Sequence, residues 1–135
     1  MLLFHTYLAP SEIHGVGLFS SEFIPAGSLV WRFDSKFDKC FSDEVKESFP
    51  NHIQQYIEIH GFRDLTTGFW ILDGGNDLHV NHSNMPNIEE RGEIVDGVTR
   101  FLYANRDIRP GDELTQNYLE YDQVAATKLS YNQKE

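Results

Sequence analysis

The sequence predicts a mainly β protein interrupted by a small helical insert, and three observations carry that expectation. Apolar residues come in brief runs rich in aromatic and β-branched side chains, which is how short strands read. Turn chemistry bounds those runs, at Pro25-Ala26-Gly27, Asp73-Gly74-Gly75, Asp96-Gly97 and Pro110-Gly111-Asp112. Only between about Asp34 and Asp64 does the pattern change to one with helix start and stop signals.

Taken in order, the first strand is expected over Leu3 to Leu8, followed by a tight turn at Gly15-Val16-Gly17. Leu29 to Phe33 gives the next strand. In the insert, Ser42-Asp43-Glu44 offers an N-cap and an acidic first turn, and Pro50 suits the first position of a second helix. Ile53, Tyr56, Ile57 and His60 share one face of that helix, which Gly61 closes. Strands resume at Phe69 to Leu72 and Val98 to Ala104. The segment Phe23 to Leu29 is echoed by Asp107 to Leu114, too briefly to count as a repeat architecture. The polar stretch Asp122 to Glu135 reads as a short helix or a frayed tail. We expect one domain over residues 1–135, with core halves at about 1–33 and 69–121, the insert at about 34–68 and the tail at 122–135. Neither half has strands enough to stand alone.

Composition removes several function classes. Hydrophobic content of 40% with 13% aromatics supports a packed core rather than disorder. No apolar run is long enough for a membrane span, and the first residues lack the basic and apolar regions of a signal peptide. A single cysteine, Cys40, excludes an intrachain disulfide and a cysteine-built zinc site. An intracellular, soluble protein of the cytoplasm or nucleus is the expectation. The net charge of −10 opposes direct nucleic-acid binding and favours a basic partner.

Three short runs carry the chemistry. His14-Gly15-Val16-Gly17 is a turn whose glycines let the backbone approach a ligand closely. A third glycine at the dinucleotide-binding offset is missing. Asn81-His82-Ser83, with Pro86-Asn87, places consecutive polar side chains after Leu78 and Val80, so it is a hydrogen-bonded segment with a structural or ligand-facing role. His79 and His82 near Asp73 and Asp77 raise the question of a metal, but no helix aligns the imidazoles and none is expected. Glu113-Leu114-Thr115-Gln116-Asn117-Tyr118 completes the set.

In this order and at these separations, the three runs resemble the SET domain, the fold of S-adenosylmethionine-dependent protein lysine methyltransferases. The resemblance spans roughly residues 11 to 121. It implies a fold of short curved sheets with a C-terminal pseudoknot, in which a later strand passes through the loop of the Asn81-His82 run. It implies S-adenosyl-L-methionine contacts at His14, Gly15, Val16 and Gly17 through main chain, and at Asn81, His82, Tyr118 and Tyr121, with Tyr121 stacking on the adenine or lining the lysine channel. Tyr118 takes the catalytic position. Methyl transfer needs a neutral amine, whereas free lysine has a pKa near ~10.4, and a phenol can orient the lone pair without adding charge. Glu113 reads as structural, tying this segment to the Asn81 loop.

The chain departs from the family's pattern in four places. Asn84 replaces a zinc-binding cysteine, Leu78 an arginine, Phe33 a tyrosine and Gln116 an aromatic residue. Phe33 and Gln116 fall at the substrate channel and leave the number of methyl groups open. Without a zinc-bound segment, either the tail, through Val124, Ala125, Ala126 and Leu129, or the partner protomer of a homodimer closes the cofactor pocket. The implied activity is methyl transfer to a lysine of a basic protein or peptide, a histone or histone-like chain among the candidates. The alternatives are a weak or inactive module that binds a basic peptide, and a methyltransferase acting on another amine.

Overall fold

The computed structural model describes residues 1–95 and 99–132. The expected Asp96-Gly97 turn, Val98 and the last three tail residues lie outside the described residues. The chain begins with β1 (Thr6–Pro10), β2 (Val16–Ser20), β3 (Leu29–Arg32) and β4 (Lys39–Phe41), then α1 (Asp43–Glu47) and α2 (Asn51–His60). It continues through β5 (Phe62–Arg63), β6 (Trp70–Leu72), β7 (Asn81–His82), β8 (Ile88–Val95), β9 (Thr99–Ala104) and β10 (Thr115–Gln116) to α3 (Ala125–Asn132). The result is a set of small sheets with few helices, as expected.

β1 and β2 form an antiparallel hairpin in which Pro10 faces Val16. Gly15, at φ +47°, takes the left-handed conformation that the turn needs and that glycine adopts without penalty. The Ser11 N–H closes the turn on the Gly15 carbonyl at 2.8 Å. Val16 and Gly17 are therefore strand residues rather than turn residues, a correction to the sequence reading. The second sheet runs β3-β9-β8 and the third, built largely by the insert, runs β4-β6-β5. The insert is thus not purely helical.

The two echoing turn segments prove to be partners. The Ile24 N–H donates to the Ile108 carbonyl at 2.8 Å, and Ile108 returns the bond at 2.9 Å. Both side chains are fully buried. They join Leu18, Val30, Trp31, Val80, Ile88, Leu102, Ala104 and Leu114 in one core. Its members come from both sides of the insert, and each fully buried aliphatic contributes about 1.5–3 kcal/mol of transfer free energy.

In the insert, Ser42 caps α1 as expected, its Oγ accepting from the Val45 N–H at 3.2 Å. Pro50 stands one position outside α2, at the cap rather than the first turn. Of the apolar face of α2 only Ile57 is buried, while Ile53 and Tyr56 are 36% and 43% exposed. Gly61 ends the helix in extended backbone, where a Cβ would press on the carbonyls of Ile57 and Ile71. The polar tail resolves into α3. No helix among the described residues is long and apolar enough to cross a membrane.

Candidate active site

The three sequence runs meet at Asn81. This residue opens β7, is buried, and directs its amide nitrogen to the His14 carbonyl at 3.0 Å and the Glu113 Oε1 at 2.9 Å. The Val16 carbonyl lies 3.4 Å from the same nitrogen. One side chain thereby holds the glycine turn and the C-terminal run together. Residues 115–116 of β10 lie parallel to residues 81–82 of β7, which is where the later strand meets the Asn81-His82 run. Asn87 locks this contact: it accepts from the Thr115 N–H at 2.9 Å and donates to the Glu113 carbonyl at 2.7 Å.

Glu113 is a structural hub. Its carboxylate receives the Ser11 hydroxyl at 2.8 Å as well as the Asn81 amide. Gly17 is glycine for this reason, since a Cβ there would fall on the Glu113 carboxylate. So the two glycines of the turn do different jobs. Gly15 supplies a backbone angle, and Gly17 makes room for an acid that arrives from residue 113.

A cleft of about 540 Å³ opens beside this junction, within the size range of small-ligand sites. His14, Gly15, Val16, Asn81 and Tyr118 line it, together with Val80, His60, His79, Val124, Thr127 and Lys128. Five of the residues expected at the cofactor thus face one cleft. Three do not line it. Gly17 backs onto Glu113. The His82 ring turns to accept the Tyr118 N–H at 3.1 Å through Nδ1, with Nε2 against Asn84 Oδ1 at 3.0 Å. Tyr121 lines a separate, smaller cavity with Gln116. Phe33 lines neither space and packs against the main core.

The cleft carries polar and charged side chains that the sequence reading did not assign to the cofactor. Lys128 on α3 donates to the Gly61 carbonyl and, at 2.6 Å, to the buried Asp122 carboxylate. Burial lowers its ammonium pKa, and Asp122 works against that shift. His60 and His79 stack edge-on at 6.3 Å. Burial, then His79 and Lys128, depress the pKa of His60. Glu58 also lines the cleft, its carboxylate paired with the Lys46 ammonium at 2.6 Å. A zwitterionic ligand head group suits such a lining. The sequence placed His60 on a helix face and raised His79 only as a metal candidate, and of the apolar pattern of the tail Val124 alone reaches the cleft.

Tyr118 lines the cleft. Its hydroxyl donates to the Val80 carbonyl, and Val80 also lines the smaller cavity. Burial, reinforced by Asp122 and Glu113, pushes the phenol far up, so it stays neutral. Its ring packs edge-on against Tyr121 at 6.0 Å. The smaller cavity, about 20 Å³, is walled by Trp31, Gln116, Tyr121, Asp73, Asp77 and Glu90 among others. Two spaces therefore share Val80, with the Tyr118 hydroxyl bonded to that residue.

A model of the SET domain matches residues 15–119. The chain is 26% identical over 115 residues to the histone-lysine N-methyltransferase trr of Drosophila melanogaster, covering 84% of this chain and 5% of that protein. It is 29% identical over 119 residues to the H3 lysine-4 specific histone-lysine N-methyltransferase of Schizosaccharomyces pombe, covering 83% and 12%. Against the histone-lysine N-methyltransferase ATXR7 of Arabidopsis thaliana the figures are 31% over 133 residues, 89% and 9%. The chain therefore spans only 5 to 12% of the length of these three relatives. Among solved structures, ctPRC2 in an autoinhibited conformation bound to S-adenosylmethionine aligns with a TM-score of 0.67 at 24% identity, over 97% of this chain and 17% of that one. The Chaetomium thermophilum Polycomb Repressive Complex 2 bound to GSK126 aligns with a TM-score of 0.68 at 24% identity, over 95% and 17%. These structural matches speak to the fold.

Proposed function

The chain belongs to the SET-domain family, and from that premise we propose that it transfers a methyl group from S-adenosylmethionine to a lysine of a basic protein, a histone being the first candidate. One observation carries this reading: the cleft and the smaller cavity share Val80, whose carbonyl receives the Tyr118 hydroxyl. Methyl transfer needs two separate chambers that meet at one point, because donor and acceptor must approach in line.

The cleft's size and mixed charge fit S-adenosylmethionine, which carries a carboxylate, an ammonium and a sulfonium. His14, Gly15, Val16 and Asn81 would hold it, with Lys128 and the histidine pair at the wall. Gly17 and His82 act behind this lining, by making room for Glu113 and by fixing the Tyr118 backbone. The bound cofactor supplies an electrophilic methyl group. Tyr118, kept neutral by burial, orients the amine. Gln116 and Tyr121 line the acceptor side, and α3 closes the cofactor side in place of a zinc-bound segment. The net charge of −10 draws a basic substrate by long-range attraction. A homodimer is the competing way to close the pocket, and the protein acts in solution in the cytoplasm or nucleus.

Incubation of the full chain with isotope-labelled S-adenosylmethionine and purified core histones tests this. The expected result is label on lysine, located by mass spectrometry. Cofactor binding by calorimetry without any labelled product would overturn the enzyme reading in favour of a peptide-binding module. No cofactor binding at all would overturn the enzyme reading outright.

A further inference from the structure

The smaller cavity contains more acid than a channel for an alkylammonium needs. Asp73, Asp77 and Glu90 all line it. Asp77 is only 8% exposed, and one of its oxygens, Oδ2, accepts from the Trp31 indole N–H at 2.5 Å. Its other oxygen, Oδ1, is buried with no hydrogen-bond partner, and so is Oδ1 of Asp73. Carboxylate oxygens of Asp38, Asp73 and Asp77 fall within 4.8 Å of one another. Asp38 is already engaged, with the Met1 ammonium at 2.8 Å and the Gly74 N–H at 2.9 Å. Two acid oxygens without hydrogen-bond partners therefore belong to residues that line the chamber on the acceptor side.

We propose that Asp73 and Asp77 act as one proton-accepting pair that neutralises the substrate lysine before methyl transfer. This rests on the methyltransferase reading above. The cavity, at about 20 Å³, has room for one water at the inner end of the acceptor side. That water links the pair to an amine held beside Tyr118. The substrate ammonium gives its proton through the water to a carboxylate oxygen, which becomes a carboxylic acid. The freed nitrogen pair forms the new N–C bond as the C–S bond of the sulfonium breaks, its electrons staying on sulfur. The proton leaves to solvent when the product departs.

The electrostatics agree with the geometry. Burial, then Asp77 and Asp38, push the Asp73 acid well up. Burial also raises Asp77, with the Met1 ammonium opposing and Asp38 adding to the shift. Two close acids in a dry site take up a first proton far more readily than free carboxylates do and then resist a second, so the ionised pair has room for the one proton the amine gives up. Tyr118, already protonated and held so by burial, has no capacity to accept. The charged and titratable groups around the pair are Met1 and Asp38 from the N-terminal side, Glu90 on β8, Tyr121 after β10 and Lys128 on α3, which interacts with Asp73.

Asp73→Asn, Asp77→Asn and the double variant test the proposal in the full chain. Each asparagine keeps an oxygen, so Trp31 retains its acceptor. In single turnovers on core histones, each variant is expected to lose about 10²-fold at pH 7, a usual worth for general-base catalysis. The deficit should shrink steadily as pH rises and the lysine arrives neutral, with cofactor affinity unchanged. A deficit constant across pH would make the pair structural and overturn the proposal. A second readout needs no turnover: n-butylamine is titrated into protein loaded with S-adenosylhomocysteine, in buffers of different ionisation enthalpy. The parent should bind it without releasing a proton to buffer, and the double variant should release about one. Equal proton counts, or no binding of n-butylamine to the parent, would overturn the proposal. If proton counts differ but no protein is methylated, the pair stands and the assigned substrate falls. Should Asp77→Asn not fold, Asp73→Asn carries both measurements.

Discussion

Replacing Tyr118 by Phe removes the hydroxyl bonded to Val80, the residue that cleft and cavity share. The ring keeps its contacts with Tyr121 and with His82, whose centroid lies 5.4 Å away. What is lost is the donor to the Val80 carbonyl. Leaving a buried acceptor without its donor costs about 1–3 kcal/mol, which for a domain of this size lowers Tm by roughly 3–12 °C. The catalytic loss should be larger in effect, because a hydroxyl that fixes the amine within an ångström controls a factor of about 10² in rate. The assay is single-turnover methylation at saturating cofactor, with cofactor affinity measured separately by calorimetry. The expected pattern is a rate lower by at least that factor, affinity within about threefold of the parent, and a folded protein. A Tyr118→Phe protein that turns over at the parental rate would refute the positioning role. A protein that loses cofactor affinity in proportion to rate would instead make the hydroxyl a binding group.

Three further expectations follow from the junction and its surroundings. Gly17→Ala should cost about 1–3 kcal/mol by overpacking against Glu113, and Glu113→Ala should erase that cost, a coupling that denaturant melts in a double-mutant cycle would measure. Lys128→Met should destabilise by about 3 kcal/mol because it strands the Asp122 carboxylate, whose side chain is 1% exposed; adding Asp122→Asn should return most of the loss, as thermal melts would report. The raised acid of Asp73 binds its proton more tightly folded than unfolded. Its contribution is therefore present at low pH and lost as pH rises through the folded value. Asp73→Asn should accordingly raise Tm at neutral pH and flatten the pH profile, which scanning calorimetry from pH 4 to 8 checks.

Much of the site was legible because its chemistry sits in three contiguous runs. Gly15, Asn81 and Tyr118 each carry a signal that short-range reading detects: a turn glycine, a buried amide, an aromatic at a motif's end. Glu113 could be read as a tie to Asn81, and the amide-to-carboxylate bond at 2.9 Å is that tie. What stayed hidden depends on distant partners. Gly17 looks like a turn glycine, and only the arrival of a carboxylate 96 positions later (113 − 17) explains it. β7 and β10, of two residues each, are too short for any periodicity to register. The face of α2 misled because Ile53 and Tyr56 share a stripe with Ile57, yet of these three only Ile57 finds a surface to cover. Lys128 reads as a solvated lysine until Asp122 and the Gly61 carbonyl close around it.

The bond between Ser11 and Glu113 spans 102 positions of chain, and it bears on the order in which the protein becomes competent. A ribosome adding about 5–20 residues per second releases the hairpin of β1 and β2 many seconds before the acid that fixes it exists. During that interval the glycine turn has no partner for Ser11 and no Asn81 amide held against a carboxylate. The nascent chain therefore presents no cofactor cleft, and S-adenosylmethionine can stabilise only the finished fold. Contacts this remote in sequence also slow folding, so ligand binding acts on the last stage alone, by holding closed a junction that the two ends of the chain have already made.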